Sequence, residues 1–185
     1  MSNHLTPTAR VILGMLKLGA RTGYEIKQAI EVSTRFFWGA SYGQIYPELR
    51  RLADAGLLSG LDAPRGGVRR TEYRLTDEGE RVLHEWLTAD DWGGFEMRDE
   101  LLLRFFFADL LDEDDALAVV RRMRERSEWI VSRFREIEPD AKDGFTEGSG
   151  ELYPFLALRY GIGLMEWMAG WAADTERALA EGRLP

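Results

Sequence analysis

Cysteine is absent from the 185 residues, which excludes disulfides and thiolate chemistry, and histidine occurs only at positions 4 and 84. Imidazole-based metal and catalytic sites are thereby nearly excluded. No nucleophile, base and orienting group can be assembled from the pattern, so the chain is expected not to be an enzyme and to need no cofactor. No apolar run approaches the length that spans a bilayer. The start, MSNHLTPTAR, lacks the basic-then-apolar layout of a signal peptide, so a cytoplasmic protein without a membrane partner is expected. An overall excess of basic charge is missing too: the net charge is −8.

The distribution of charge qualifies that sum. Residues 1–88 hold 12 Lys and Arg against 10 Asp and Glu, and residues 89–185 hold 12 against 22. A slightly positive segment joined to an acidic one is compatible with nucleic-acid binding confined to the first. The densest acidic run, Asp112 to Asp115, lacks the spaced ligands and central glycine of a calcium loop; it suits the positive end of a helix instead. His84, beside Glu85 with no second imidazole nearby, reads as a surface or partly buried side chain, and no metal site is expected.

Thr6-Pro7 is a cap followed by proline at the first helical position, and Val11, Ile12, Met15, Leu16 and Leu18 then recur at helical spacing. The first helix is expected to reach about Leu18. Thr22-Gly23-Tyr24-Glu25 fits a capping box opening a second helix, with Tyr24, Ile26, Ala29, Ile30 and Phe36 facing inward until Trp38-Gly39-Ala40 breaks it. Ser41-Tyr42-Gly43-Gln44 opens a third, with Ile45, Leu49 and Leu52 on one face and Gly56 at its end. Leu57 to Leu61 and Arg69 to Leu75, separated by turn-forming residues, read as a β-hairpin with Tyr73 and Leu75 in the core. Thr76 caps a fourth helix carrying Val82, Leu83, Trp86 and Leu87. This order describes a winged helix-turn-helix with a β-hairpin wing.

The rest is helical in pattern. A short helix is expected over about Glu96 to Leu110 and a long one from the acidic run to about Ile137. A loop over Pro139 to Gly150 and a last helix over about Glu151 to Glu181 follow. Leu117, Val120, Met123, Ser127, Ile130, Phe134 and Ile137 step by threes and fours, the spacing of a helix packed along its length. The last helix is apolar on so much of its circumference that two neighbours in the same chain do not cover it, and a second subunit is the simplest cover. The fold class is therefore mainly α, within α+β. The expected domains are 1–88 for DNA binding, 89–95 as linker and 96–185 as a helical dimerisation domain.

Four pieces in combination, Ile12-Leu13-Gly14, Gly23-Tyr24-Glu25-Ile26, the run GQIYPELRRLADAGL from Gly43 and YRLTDEG from Tyr73, resemble the PadR family of transcriptional regulators. The remaining half, with LRYGIGLMEW from Leu158, is similar to the helical tail of the PadR subgroup related to the virulence activator AphA. The resemblance implies a homodimeric DNA-binding regulator, most often a repressor, in many members released by a small aromatic or drug-like effector, and without catalytic activity. The chain departs from the commonest family pattern at Ser41 to Gln44, where Pro-Gly-Ser often stands.

Opposite Ile45, Leu49 and Leu52, the third helix presents Gly43, Pro47, Arg50 and Arg51, flanked by Gln44 and Tyr46. This face suits a major groove of operator DNA, with Gln44 reading adenine edges, Arg50 or Arg51 reading guanine or phosphate, and Tyr42 and Tyr46 alongside. Arg65, Arg69, Arg70 and Arg74 bracket the Gly-rich hairpin tip and suit a wing along the phosphates. The plainer alternative pairs Arg50 or Arg51 with Glu48 or Asp54. Trp129, Trp167 and Trp171 suit either an effector pocket or helix packing, with packing favoured. An activator of the same fold, or a winged-helix protein-interaction module that has lost DNA, are the rival functions.

Overall fold

The computed structural model describes residues 5–62, 71–90, 97–146 and 152–182. The chain divides into two compact units, Met1–Gly94 and Phe95–Pro185. The first contains α1 (Pro7–Lys17), α2 (Gly23–Val32), a 3₁₀ turn (Thr34–Phe36), α3 (Tyr42–Asp54), β1 (Leu58–Asp62), β2 (Thr71–Leu75) and α4 (Asp77–Thr88). Local chemistry starts its helices. The hydroxyls of Thr6, Thr22 and Thr76 accept the N–H groups of Ala9, Glu25 and Gly79 at 3.0, 3.2 and 3.1 Å, satisfying donors that no helical carbonyl reaches. At α2 the box is altered: the Glu25 carboxylate accepts from the N–H of Arg21, one residue before the cap.

Ile12 and Leu13 of α1, Ile26 and Ile30 of α2, and Ile45, Leu49 and Leu52 of α3 are all fully buried and form one core. Truncating one of them, as in Leu49→Ala, removes about 2–5 kcal/mol of stability on general grounds. Tyr24, expected inward, is instead 55% exposed. The inward place on that turn belongs to Gly23, where an added Cβ would lie 2.6 Å from the Tyr46 ring and 3.2 Å from Leu49; α3 comes too close for a side chain. Phe36 also stands exposed, because α2 ends at Val32 and the chain leaves it at Ser33.

β1 and β2 pair antiparallel, Leu58 opposite Leu75 and Gly60 opposite Tyr73. The N–H of Tyr73 also donates to the Arg21 carbonyl at 2.7 Å, which joins the segment before α2 to the hairpin. The expected tip, with Arg65, Arg69 and Arg70, lies outside the described residues. Where the hairpin meets α4, a Cβ on Gly79 would lie 2.1 Å from the Leu57 carbonyl oxygen. Backbone cannot yield as a side chain does. Gly79→Ala is therefore expected to destabilise the first unit by about 3 kcal/mol or more, read as a lowered urea midpoint; an unchanged midpoint would contradict this packing.

The second unit contains α5 (Glu100–Phe106), a 3₁₀ turn (Ala108–Leu110), α6 (Glu113–Thr146) and α7 (Leu152–Ala180). The expected helix over 96–110 is thus shorter and split; Asp99 starts it by accepting the Leu101 and Leu102 N–H groups at 2.9 and 3.3 Å. Asp112 likewise accepts the N–H of Asp115 at 2.9 Å, so the acidic run opens α6. Val120, Met123, Ser127 and Phe134 form the buried stripe of α6, on the spacing read from the sequence. The ion pairs Arg121–Glu176 and Arg159–Glu138, at opposite ends, set α6 and α7 antiparallel.

α6 does not stop at Ile137 but continues through Pro139 to Thr146, and the loop expected from Pro139 is correspondingly absent over 139–146. Proline removes one helical donor. Around it Glu138 binds both Arg135 and Arg159 at 2.6 Å, while Arg135 also reaches Glu166 at 2.8 Å. These links tie the turn to α7 across the missing bond.

Arg126 Nη1 donates to Asp99 Oδ1 at 2.9 Å, and this guanidinium holds the Asp99 carboxyl below its ordinary range, with the Leu102 and Leu101 N–H groups helping. A depressed native value means stability fully present above the unfolded value of about 3.9 and lost as pH falls below it toward the native one. Asp99→Asn is expected to flatten that acid slope in the unfolding free energy of the second unit. A slope identical to wild type would refute the role given to this pair.

Candidate nucleic-acid interface

α3 carries the face that the first unit turns outward. Its start is fixed by Ser41, whose N–H and hydroxyl both donate to the Gln44 side-chain oxygen, at 2.9 and 3.0 Å. Gln44 is therefore partly engaged in capping, and its amide group is the part that remains to read an adenine edge. Tyr42 and Tyr46 are exposed and stack with ring centroids 6.1 Å apart and an interplanar angle of 18°. The ammonium of Lys27 lies 5.9 Å over the Tyr42 ring and donates to the Ala40 carbonyl at 3.1 Å. Lys27 also pairs with Glu31, whose carboxyl it holds below the ordinary range. The tyrosine pair is thus braced from α2.

On the other flank, Gln44, Glu48 and Arg51 follow one another at i, i+4 and i+7, the repeat of a single helix face. Arg51 binds Glu48 with two bonds, Nε to Oε2 at 2.9 Å and Nη2 to Oε1 at 2.7 Å. The alternative weighed from sequence, an intrahelical pair, is therefore present for Arg51. Arg50, on the opposite edge, is exposed and forms no ion pair among the described residues. Glu48 receives a third donor, the hydroxyl of Thr6 at the start of α1. Arg51 above all, then Thr6, holds its carboxyl below the ordinary range, so it is ionised at neutral pH.

Arg74 is exposed on β2 and lies with Lys17, Arg21, Leu16, Leu75 and Glu80 around a shallow depression. Lys17 pairs with Glu80 at 2.6 Å, and Arg21 donates to the Leu16 carbonyl at 3.1 Å. Lys17 and Arg21 were not foreseen beside Arg74. More than fifty residues separate them in the chain; the bond from Tyr73 to Arg21 and the packing of α1 against β2 bring them together.

The three tryptophans separate. Trp171 is half-buried against Phe105, edge to face at 5.5 Å, beside Val120, Met123 and Ala172. Trp129 and Trp167 are exposed, the latter by 65%. On α7 the exposed Tyr153, Leu156, Tyr160, Leu164 and Trp167 step by threes and fours down one side. Trp171 continues that row and is covered by α5; the five before it are bare. No helix among the described residues is long and apolar enough to cross a membrane.

Residues 12–85 match the transcriptional regulator PadR-like family, and residues 97–180 match the virulence activator alpha C-terminal family. The negative transcriptional regulator PadR of Bacillus subtilis strain 168 is 34% identical over 106 residues, 57% of this chain and 58% of that protein, so the aligned region spans little more than half of that relative. The crystal structure of Bacillus subtilis PadR in complex with operator DNA has the same fold: TM-score 0.82, 24% identity, 92% of this chain and 97% of that one covered. Bacillus subtilis PadR in complex with p-coumaric acid superposes with a TM-score of 0.73 at 23% identity, covering 95% and 99%.

Proposed function

The chain belongs to the PadR-like family of transcriptional regulators, and from that premise we propose that it binds double-stranded operator DNA as a homodimeric repressor. Residues 1–88 bind DNA, 89–95 link, and 96–185 join two subunits. The observation that carries this reading is the outward face of α3, where Tyr42, Gln44, Tyr46, Arg50 and Arg51 stand opposite a fully buried Ile45, Leu49 and Leu52. A helix so anchored offers a rigid row of donors to base edges and phosphates in a major groove. Arg65, Arg69, Arg70 and Arg74 follow the backbone from the wing.

The bare row of α7 supports a second copy of the chain as its cover. Two such rows facing one another bury aromatic and aliphatic side chains that a monomer leaves in water. A small aromatic effector, held near Trp129, Trp167 and Trp171, releases the DNA; the relative solved with p-coumaric acid makes an aromatic acid the first compound to test. The protein works in the cytoplasm and catalyses nothing.

The test is a titration at about 50 and 200 mM salt of two duplexes: one enriched by this protein from a randomised library, and one scrambled. Affinity for the enriched duplex is expected to exceed that for the scrambled one and to fall steeply with salt. Equal affinity for both, or none for either, would refute the proposal.

A further inference from the structure

We propose that Glu48 is a specificity-determining positioning residue: it holds Arg51 side-on, so that the free end of the guanidinium is aimed at a guanine edge, while its own charge repels phosphate. The inference rests on the DNA-binding reading of α3 and concerns how that face discriminates. Glu48 lies on the helix between the buried stripe and Arg51, and its side chain is only 12% exposed. It is fastened by three bonds, one from the Thr6 hydroxyl and two from Arg51. Thr6 is itself fixed, because its oxygen caps α1 by accepting the Ala9 N–H at 3.0 Å. The core of the first unit therefore continues through Thr6 and Glu48 to the guanidinium.

The geometry of the fork decides what this linkage does. A guanidinium has two edges on which paired donors lie parallel. The Nε and Nη2 edge is taken by Glu48, which leaves Nη1 and the outer hydrogen of Nη2 on the end edge. That end edge matches the paired acceptors O6 and N7 of guanine, and the Arg51 side chain is 44% exposed. Held this way, Arg51 has lost its rotamer freedom before DNA arrives, so less is lost on forming the bidentate contact. The neighbouring Arg50 has no such brace and suits a phosphate. The Glu48 carboxylate, ionised and close to the groove face, opposes binding to any sequence that offers Arg51 no base contact.

Specific and non-specific binding therefore respond to Glu48 with opposite signs. The experiment compares wild type, Glu48→Gln, Arg51→Ala and the double variant on the duplex enriched by wild type and on its scrambled counterpart, at one salt concentration. Glu48→Gln is expected to weaken the enriched duplex by about tenfold, within the range for one bidentate base contact, and to strengthen the scrambled one. Added to Arg51→Ala, it is expected to cause no further loss on the enriched duplex. Stronger binding to both duplexes would mean that Glu48 only masks Arg51; weaker binding to both would mean a merely structural part; either overturns the proposal. If Glu48→Gln lowers the thermal midpoint markedly, Glu48→Asp is read instead. It keeps the charge but shortens the brace, and is expected to weaken the enriched duplex without strengthening the scrambled one; unchanged discrimination would again overturn the proposal. Failure of the wild-type protein to enrich any duplex refutes the DNA-binding reading itself, and this inference with it.

Discussion

Arg50→Ala combined with Arg51→Ala is expected to weaken binding to the enriched duplex by at least about a hundredfold while leaving the thermal midpoint of the free protein nearly unchanged. Both arginines are exposed on α3, and the core beneath them is formed by Ile45, Leu49 and Leu52. Their removal takes from the fold one ion pair, in which the Arg51 side chain is 44% exposed and the Glu48 carboxylate keeps the Thr6 hydroxyl as a donor. On DNA the loss is larger because a dimer presents each arginine twice, and a base contact is worth about 1–3 kcal/mol. Salt separates the two roles. Each lost phosphate contact lowers the slope of log affinity against log salt by about 0.9. Arg50→Ala alone, lost from two subunits, is expected to lower it by about two, and Arg51→Ala to leave it nearly unchanged. Binding retained in the double variant would contradict the assignment of α3 to the groove.

The second large effect is expected at α7. Tyr160→Glu with Trp167→Glu places one carboxylate in the middle and one at the end of the bare row that runs from Tyr153 to Trp167. Both positions are exposed in the single chain, so the α6 and α7 pair should fold as before. In a dimer the same carboxylates are forced together without partners, and each uncompensated charge costs several kcal/mol. Sedimentation is expected to show a dimer for wild type and a monomer for the variant. DNA affinity is expected to fall with it, because one subunit engages one half-site only. A variant that still sediments as a dimer would place the interface elsewhere.

The parts of this fold that were legible in the sequence are those governed by neighbouring residues. Thr6, Thr22 and Thr76 each stand where a helix begins, because a hydroxyl placed there accepts from a donor three residues on; at Ser41 it is the Gln44 side chain, three residues on, that accepts from the cap's own N–H. The α6 stripe was legible for a similar reason, as its spacing alone defines one face. What periodicity could not decide was set by contacts between distant segments. Tyr24 lost its inward place to Gly23 because α3 approaches there. α6 passes Pro139, and the turn that leads into it is tied to α7 by the pairs of Glu138 with Arg159 and of Arg135 with Glu166.

The same division runs through the candidate DNA interface. Arg50 and Arg51 could be placed on the outer face of α3 by counting around the helix, and the Glu48 pair was visible as a spacing of three. The link from Glu48 to Thr6 spans 42 residues and depends on how α1 packs on α3. Nothing local announces it, just as nothing local sets Lys17 and Arg21 beside Arg74. Such long-range links separate an arginine that is merely exposed from one that is aimed.

The most direct measurement is a hydroxyl-radical and guanine-methylation footprint of the protein on the enriched duplex. Two α3 helices related by a two-fold axis are expected to protect two major-groove tracts on one face of the DNA, centred about 10 base pairs apart or a multiple of it. Guanine N7 protection in both tracts should vanish with Arg51→Ala. A single tract, or protection confined to the minor groove and insensitive to Arg51→Ala, would contradict a dimer that reads DNA through α3.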